Sequence, residues 1–195
     1  MRGADASGQL VVFLHGRGGT SRDLAWVQHA IPAPWRPVSL QAPLPLGSGF
    51  EWFRVPEDAS LGPLSRNVAP AAELVVDRVE AHAPTAGVGL VGYSQGAAVA
   101  LHALRRHPQR FAFAALFAGF TTIDDEPTDV DLALRRPPLL WARGSVDDVI
   151  PQSDIDRLHE FLPAHSALDE RVYAGVGHEI SADMASDLYT FIGSL

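Results

Sequence analysis

The chain has 195 residues, 47% of them hydrophobic and 19% charged, with a formal net charge of −8. That length and balance suit one domain, residues 1–195, large enough to bury a core, and they argue against a disordered chain or a broad nucleic-acid surface. The chain contains neither cysteine nor lysine, which removes disulfides, thiolate metal sites, a cysteine nucleophile and the phosphate loop that depends on a lysine.

The first apolar run, Leu10–Leu14, predicts a strand. It is too short for a secretory signal, and no stretch approaches the roughly 20 apolar residues of a membrane span, so a cytoplasmic protein is expected. Further strands are predicted at Pro37–Leu40, Val88–Val91, Phe113–Phe117, Pro138–Ala142 and Arg171–Ala174. These runs hardly alternate, as parallel strands covered on both faces should read. Between them, helical spacing predicts helices at Ala69–His82, Gln95–Arg106, Ser153–Leu162 and Ala182–Ile192. Ser153 with Asp156 three residues on reads as a capping-box variant, and Ser181 as the cap of the last helix. Strand and helix in alternation imply an α/β fold, a doubly wound, mostly parallel sheet flanked by helices. The longest irregular segment, Ala42–Asn67, is long enough to suggest a functional loop.

At Gly92-Tyr93-Ser94-Gln95-Gly96 a strand runs straight into a helix. G-x-S-x-G at that junction puts the serine on a strained turn, its hydroxyl projecting from the C-terminal edge of the sheet and the helix's positive end aimed at it. The overlapping Gly87-Val88-Gly89-Leu90-Val91-Gly92 matches a dinucleotide fingerprint only in letters. Its first two glycines precede or open the strand, where that fingerprint needs them after it.

A serine hydroxyl needs a base to take its proton, and the base needs an orienting acid. On such scaffolds the chain order is serine, acid, histidine. The adjacent pair Asp147 and Asp148 follows the strand Pro138–Ala142, and His159, His165 and His178 come after it. His159 falls inside a predicted helix and His165 in a polar connection. His178 lies beyond the last strand, where a catalytic base belongs. His29, His82, His102 and His107 fall on helices or at their ends and read as solvated surface. His15 ends the first strand and reads as hydrogen-bonding support for the loop Gly16-Arg17-Gly18-Gly19. Acyl transfer builds negative charge on a carbonyl oxygen, and backbone N–H groups must await it. The Gln95 amide after the serine and the Arg17 amide in the glycine loop are the expected donors.

The segments LHGRGGT, QAPLPLGSGFEWF, GYSQGAAVAL, RGSVDDVIP and GVGHEIS together resemble the phospholipase/carboxylesterase family of α/β-hydrolases, which includes the acyl-protein thioesterase-like serine esterases. The five pieces occur in the family's order and span nearly the whole chain. The resemblance implies an α/β-hydrolase fold and a Ser94–Asp147–His178 triad, and the short connection between Phe117 and Pro138 leaves no room for a cap domain. Asp147 is singled out by the family's G-x-x-D-x-x-[VI]-P count from Gly144 to Pro151, and Asp148 falls on a variable position. The resemblance also implies backbone donors at Arg17 and Gln95, and an aromatic pair, Trp52 and Phe53, near the substrate pocket. Two positions depart from the common pattern: Arg143 stands where many relatives carry histidine, and Ala97 where many carry glycine.

The expected activity is hydrolysis of carboxylic esters of small or medium acyl chains, with no metal or organic cofactor. Thioesters and lysophospholipids remain alternative substrates, and a catalytically silent binding protein a lesser alternative. The pocket is expected to be open, lined by the Ala42–Asn67 loop with Trp52 and Phe53. For Phe120 and Val149, pocket and packing readings stand side by side. Exposed aromatic residues near the mouth would serve a homodimer as readily as a substrate.

Overall fold

The computed structural model describes residues 8–55, 65–82, 87–122 and 124–195. In chain order the elements are β1 (Leu10–Leu14), β2 (Arg36–Leu40), a hairpin of β3 (Leu44–Leu46) and β4 (Gly49–Glu51), α1 (Ser65–His82), β5 (Val88–Tyr93), α2 (Gln95–Arg106), β6 (Phe113–Phe117), α3 (Asp129–Arg135), β7 (Pro138–Gly144), α4 (Gln152–His165), β8 (Ala167–Tyr173) and α5 (Ala182–Gly193). Six strands form one parallel sheet in the order β2-β1-β5-β6-β7-β8. The order reverses at β1, with β2 on one side and β5 on the other. The crevice outside the C-terminal ends of β1 and β5 is therefore the switch point, where open α/β sheets place their ligands.

Side chains alternate across the sheet, so one strand feeds two cores. From β1, Leu10, Val12 and Leu14 join the layer packed by Val75, Leu101 and Leu158, whereas Val11 and Phe13 join the layer of Leu188 and Phe191. Helices on both faces explain why the strands read as continuous apolar runs rather than as alternation. Among the described residues, no helical insertion covers the C-terminal edge of the sheet, and no helix is long and apolar enough to cross a membrane.

Several local expectations change. The Ala42–Asn67 loop contains the β3–β4 hairpin, and α1 starts at Ser65, four residues before Ala69. Residues 56–64 of that loop lie outside the described residues. Helix α3 forms within the acidic connection after β6, and β8 begins at Ala167. The Ser153 capping box does not form: α4 starts after Pro151 with no side-chain cap, and Asp156 instead accepts from Gln152 Nε2 at 2.8 Å. Ser181 does cap α5, accepting from the Met184 N–H at 3.2 Å. His165 is the last residue of α4, stacked on Phe161, rather than part of a polar connection. His102 is a correction of a different kind. It faces the core between α1 and α3 at 1% exposure and is not surface.

Candidate active site

Ser94 joins β5 to α2 with φ 53° and ψ −117°, a conformation that costs a non-glycine residue about 1–3 kcal/mol. The turn persists because its surroundings over-determine it. Ser94 N–H donates to the Phe117 carbonyl at 2.9 Å, tying the turn to β6. A Cβ on Gly92 would lie 2.4 Å from the Gly96 oxygen, and one on Gly96 would lie 2.1 Å from the Leu14 oxygen. Both glycines are required for strand and helix to approach this closely. The N-terminus of α2, with N–H groups that have no intrahelical acceptor, then opens at the serine.

His178 lies between β8 and α5. Its Nε2 is 2.9 Å from Ser94 Oγ, and its Nδ1 is 2.8 Å from Asp147 Oδ2. Asp147 lies between β7 and α4, and its other oxygen accepts from Val149 N–H at 2.9 Å and Ile150 N–H at 3.1 Å. Both carboxylate oxygens are thus occupied, and the side chain is 3% exposed. An ionised carboxylate only accepts, so the histidine carries its proton on Nδ1 and presents the Nε2 lone pair to the serine hydroxyl. Asp148 is exposed and makes none of these contacts. Ser145 N–H donates to the Tyr173 carbonyl at 2.9 Å, Val146 N–H to Val176 at 3.1 Å, and Gly175 N–H to Ser145 Oγ at 2.9 Å. These bonds stitch the loop of Asp147 to that of His178.

Tyr93 anchors the histidine from the other side. Its hydroxyl donates to the His178 carbonyl at 2.7 Å, and the two rings pack with centroids 5.3 Å apart. Burial, reinforced by the carboxylates of Asp147 and Glu179, raises the Tyr93 pKa, so the hydroxyl stays protonated as a donor. The sequence reading passed over Tyr93 because it occupies a variable position of G-x-S-x-G. The one available signal was a hydroxyl directly before the serine.

On the opposite flank, the Arg17 N–H meets no protein acceptor among the described residues. The hairpin braces this loop: Gly18 N–H donates to Phe50 at 2.8 Å and Phe50 N–H to Gly19 at 2.9 Å. His15 is buried beneath it. Its Nε2 accepts from Ala42 N–H at 3.1 Å, which leaves Nδ1 to donate to the Gly16 carbonyl at 2.8 Å. Burial lowers the His15 pKa and favours this neutral tautomer.

Trp52 and Phe53 are 2% and 4% exposed, so neither presents an open wall, and Trp52 borders a small cavity of about 150 Å³ with Leu40, Leu74 and Arg78. The aromatic pair braces the elbow instead. Trp52 N–H donates to Gln95 Oε1 at 2.7 Å, Gln95 Nε2 donates to the Phe53 carbonyl at 2.8 Å, and the indole N–H donates to the His15 carbonyl at 2.8 Å. Satisfying the Gln95 amide and the backbone at once pulls the aromatic pair inward. Phe120 is half-buried against the core, and Val149 is exposed beside Asp147. A groove of about 290 Å³ is bounded by Gly16, Arg17, Leu24, Trp26, Tyr93, Glu179 and Ile180.

Comparison with known proteins agrees with this architecture. The family described as Phospholipase/Carboxylesterase matches residues 1–195. The chain belongs to that family. It is similar to an acyl-protein thioesterase 1 of Eremothecium gossypii, at 25% identity over 87% of this chain and 74% of that protein. It is also similar to a probable inactive carboxylesterase of Oryza sativa subsp. japonica, at 26% identity over 88% and 78% of the two chains. Among solved structures, the esterase PE8 superposes with a TM-score of 0.75 at 25% identity, covering 96% of this chain and 93% of that one. Fold and family together make this an α/β-hydrolase of the esterase branch.

Proposed function

We propose that this family member is a serine hydrolase that cleaves carboxylic esters of small or medium acyl chains through an acyl-enzyme. The observation that carries the reading is the unbroken hydrogen-bonded chain from Ser94 through His178 to Asp147, at 2.9 and 2.8 Å. Ser94 Oγ attacks the ester carbonyl as His178 Nε2 takes its proton, and Asp147 stabilises the imidazolium that forms. The carbonyl oxygen becomes an oxyanion facing the amides of Arg17 and Gln95, donors that need no reorganisation. The tetrahedral adduct collapses, and the departing alkoxide leaves with the proton from Nε2. Water, deprotonated by the same nitrogen, then attacks the acyl-serine and releases the acid. No step requires a metal or organic cofactor.

The groove of about 290 Å³ is bounded by Tyr93 and Glu179, the chain neighbours of Ser94 and His178, and has room for a short acyl chain. A thioester differs from an oxygen ester only in its leaving group, and one relative bears the name acyl-protein thioesterase. Thioesters, and with them lysophospholipids, are the second substrate reading. A silent binding role, suggested by the relative named inactive, is disfavoured by the complete serine–histidine–aspartate set. The test is turnover of p-nitrophenyl acetate and butyrate by the wild type and by Ser94→Ala. Wild-type turnover should fall by about 10⁴-fold or more on loss of the hydroxyl. Near-full activity in the variant would overturn the proposal.

A further inference from the structure

We propose that Glu51 is a positioning residue for the oxyanion-binding loop, an inference that rests on the acyl-transfer reading of Ser94. The loop Gly16-Arg17-Gly18-Gly19 has one side chain in four residues. Glycines give it little conformational preference of its own, so the direction of the Arg17 amide must be imposed from outside. Backbone pairing with Phe50 restrains Gly18 and Gly19. Among the described residues, the hydrogen bond that restrains Arg17 itself comes from its guanidinium, whose Nε donates to Glu51 Oε2 at 2.8 Å.

Glu51 is unusual in its own right. Its side chain is 1% exposed, and its partners are two arginines at 48% and 66% exposure: Arg17, and Arg54 through Nη1 at 2.5 Å. A buried ion pair adds little net stability over an apolar contact of the same volume. What it supplies is a fixed geometry. Glu51 lies on the strand whose neighbours Phe50 and Trp52 bond the glycine loop and Gln95 respectively. The segment Phe50–Trp52 therefore contacts both the glycine loop and the Gln95 side chain, and Glu51 is its link to Arg17. The link acts on the transition state alone, because the amide is needed only once charge develops on the carbonyl oxygen.

The test uses Glu51→Gln, Glu51→Asp, Arg17→Ala, Arg54→Ala and the Glu51→Gln/Arg17→Ala pair, with p-nitrophenyl acetate. Arg17→Ala keeps the backbone amide and removes only its tether. A donor that is present but loosely aimed should cost about 10-fold, less than the 100- to 1000-fold loss of a whole donor. Glu51→Gln and Arg17→Ala should each lower kcat by about 10-fold with KM within about two-fold. The double variant should be no worse than either single one. Glu51→Asp, which keeps the charge, should recover most of the loss, and Arg54→Ala should leave kcat within about two-fold. Arg17 is half-exposed, so its variant is readable even if Glu51→Gln does not fold. Unchanged kcat in Arg17→Ala, or losses that multiply in the double variant, would overturn the proposal. Wild-type protein that does not turn over the ester would remove the acyl-transfer reading and this inference with it. An active wild type with unaffected variants removes the inference alone.

Discussion

Among the described residues, two clusters that bring a serine, a histidine and a carboxylate together differ in geometry, and one of the two has that of a proton relay. In Ser94–His178–Asp147 each imidazole nitrogen has its own partner, serine on Nε2 and aspartate on Nδ1. In Ser65–His102–Glu126 a single nitrogen, Nε2, faces both neighbours, at 3.3 Å from the hydroxyl and 3.5 Å from the carboxylate, and Nδ1 is buried with no partner among the described residues. The Ser65 hydroxyl donates to Glu126 rather than to the ring. Placement differs as well. The first cluster sits on three loops beyond strand ends, beside a groove. The second sits between helices, with all three side chains buried. Residue types alone do not make a triad. The division of the two ring nitrogens does, and loops at a sheet edge are what allow it.

The largest effect that separates the clusters is loss of the carboxylate. Asp147→Asn can present an N–H to Nδ1, reversing the tautomer so that Nε2 carries the proton and cannot accept one. Turnover of p-nitrophenyl acetate should fall by about 10⁴-fold. Asp148→Asn and Glu126→Gln should each leave kcat within about two-fold, the latter at a cost in melting temperature because Arg106 loses a buried partner. A large kcat loss in Glu126→Gln would erase the distinction drawn between the two clusters.

A smaller effect tests what holds His178, the proposed base, in place. Tyr93→Phe keeps the ring packed against His178 and removes only the bond to its carbonyl. Positioning errors at a reacting centre are costly even when the fold survives. We expect kcat to fall by about 10-fold with KM little changed, equivalent to about 1.4 kcal/mol. Wild-type kcat in this variant would mean that the stitching between the loops of Asp147 and His178 suffices.

The contrast between the clusters also marks what the sequence discloses. Ser94, Asp147 and His178 are legible because each sits in a short turn directly after a strand, where the local pattern specifies the backbone and the strand order brings the turns together. The alternating strands and helices were legible for the same reason, since apolar runs declare burial on both faces. His102 was not legible. It occupies a small, alanine-rich helix whose sequence does not say that Ser65 and Glu126 close over it from distant segments. The β3–β4 hairpin escaped because Pro45 and Gly47 weaken a strand pattern only three residues long. Trp52 and Phe53 were visible as an aromatic pair, but which way they face depends on the Gln95 amide 43 and 42 residues away.

The smallest effect reads the silent cluster by stability. Burial lowers the His102 pKa from 6.5 to about 4, opposed by Glu126 and Asp124 and reinforced by Arg105 and Arg106. The folded state therefore resists protonation that the unfolded chain accepts. Between pH 6.5 and about 4 the unfolded state binds more protons, so stability is full above pH 6.5 and is lost as pH falls through that window. The shift corresponds to about 3 kcal/mol as an upper bound. His102→Asn removes the titrating group while leaving a polar side chain for Ser65. Its melting temperature at neutral pH should be lower, because a void opens in the core. Its decline from pH 7 to pH 4.5 should nevertheless be shallower than that of the wild type. The slope rather than the offset is decisive, because packing loss is independent of pH whereas the cost of charging His102 is not. Parallel melting curves for the two proteins across that range would show that the buried histidine contributes nothing to acid sensitivity, and the reading of His102 as a core residue held unprotonated by burial would fail.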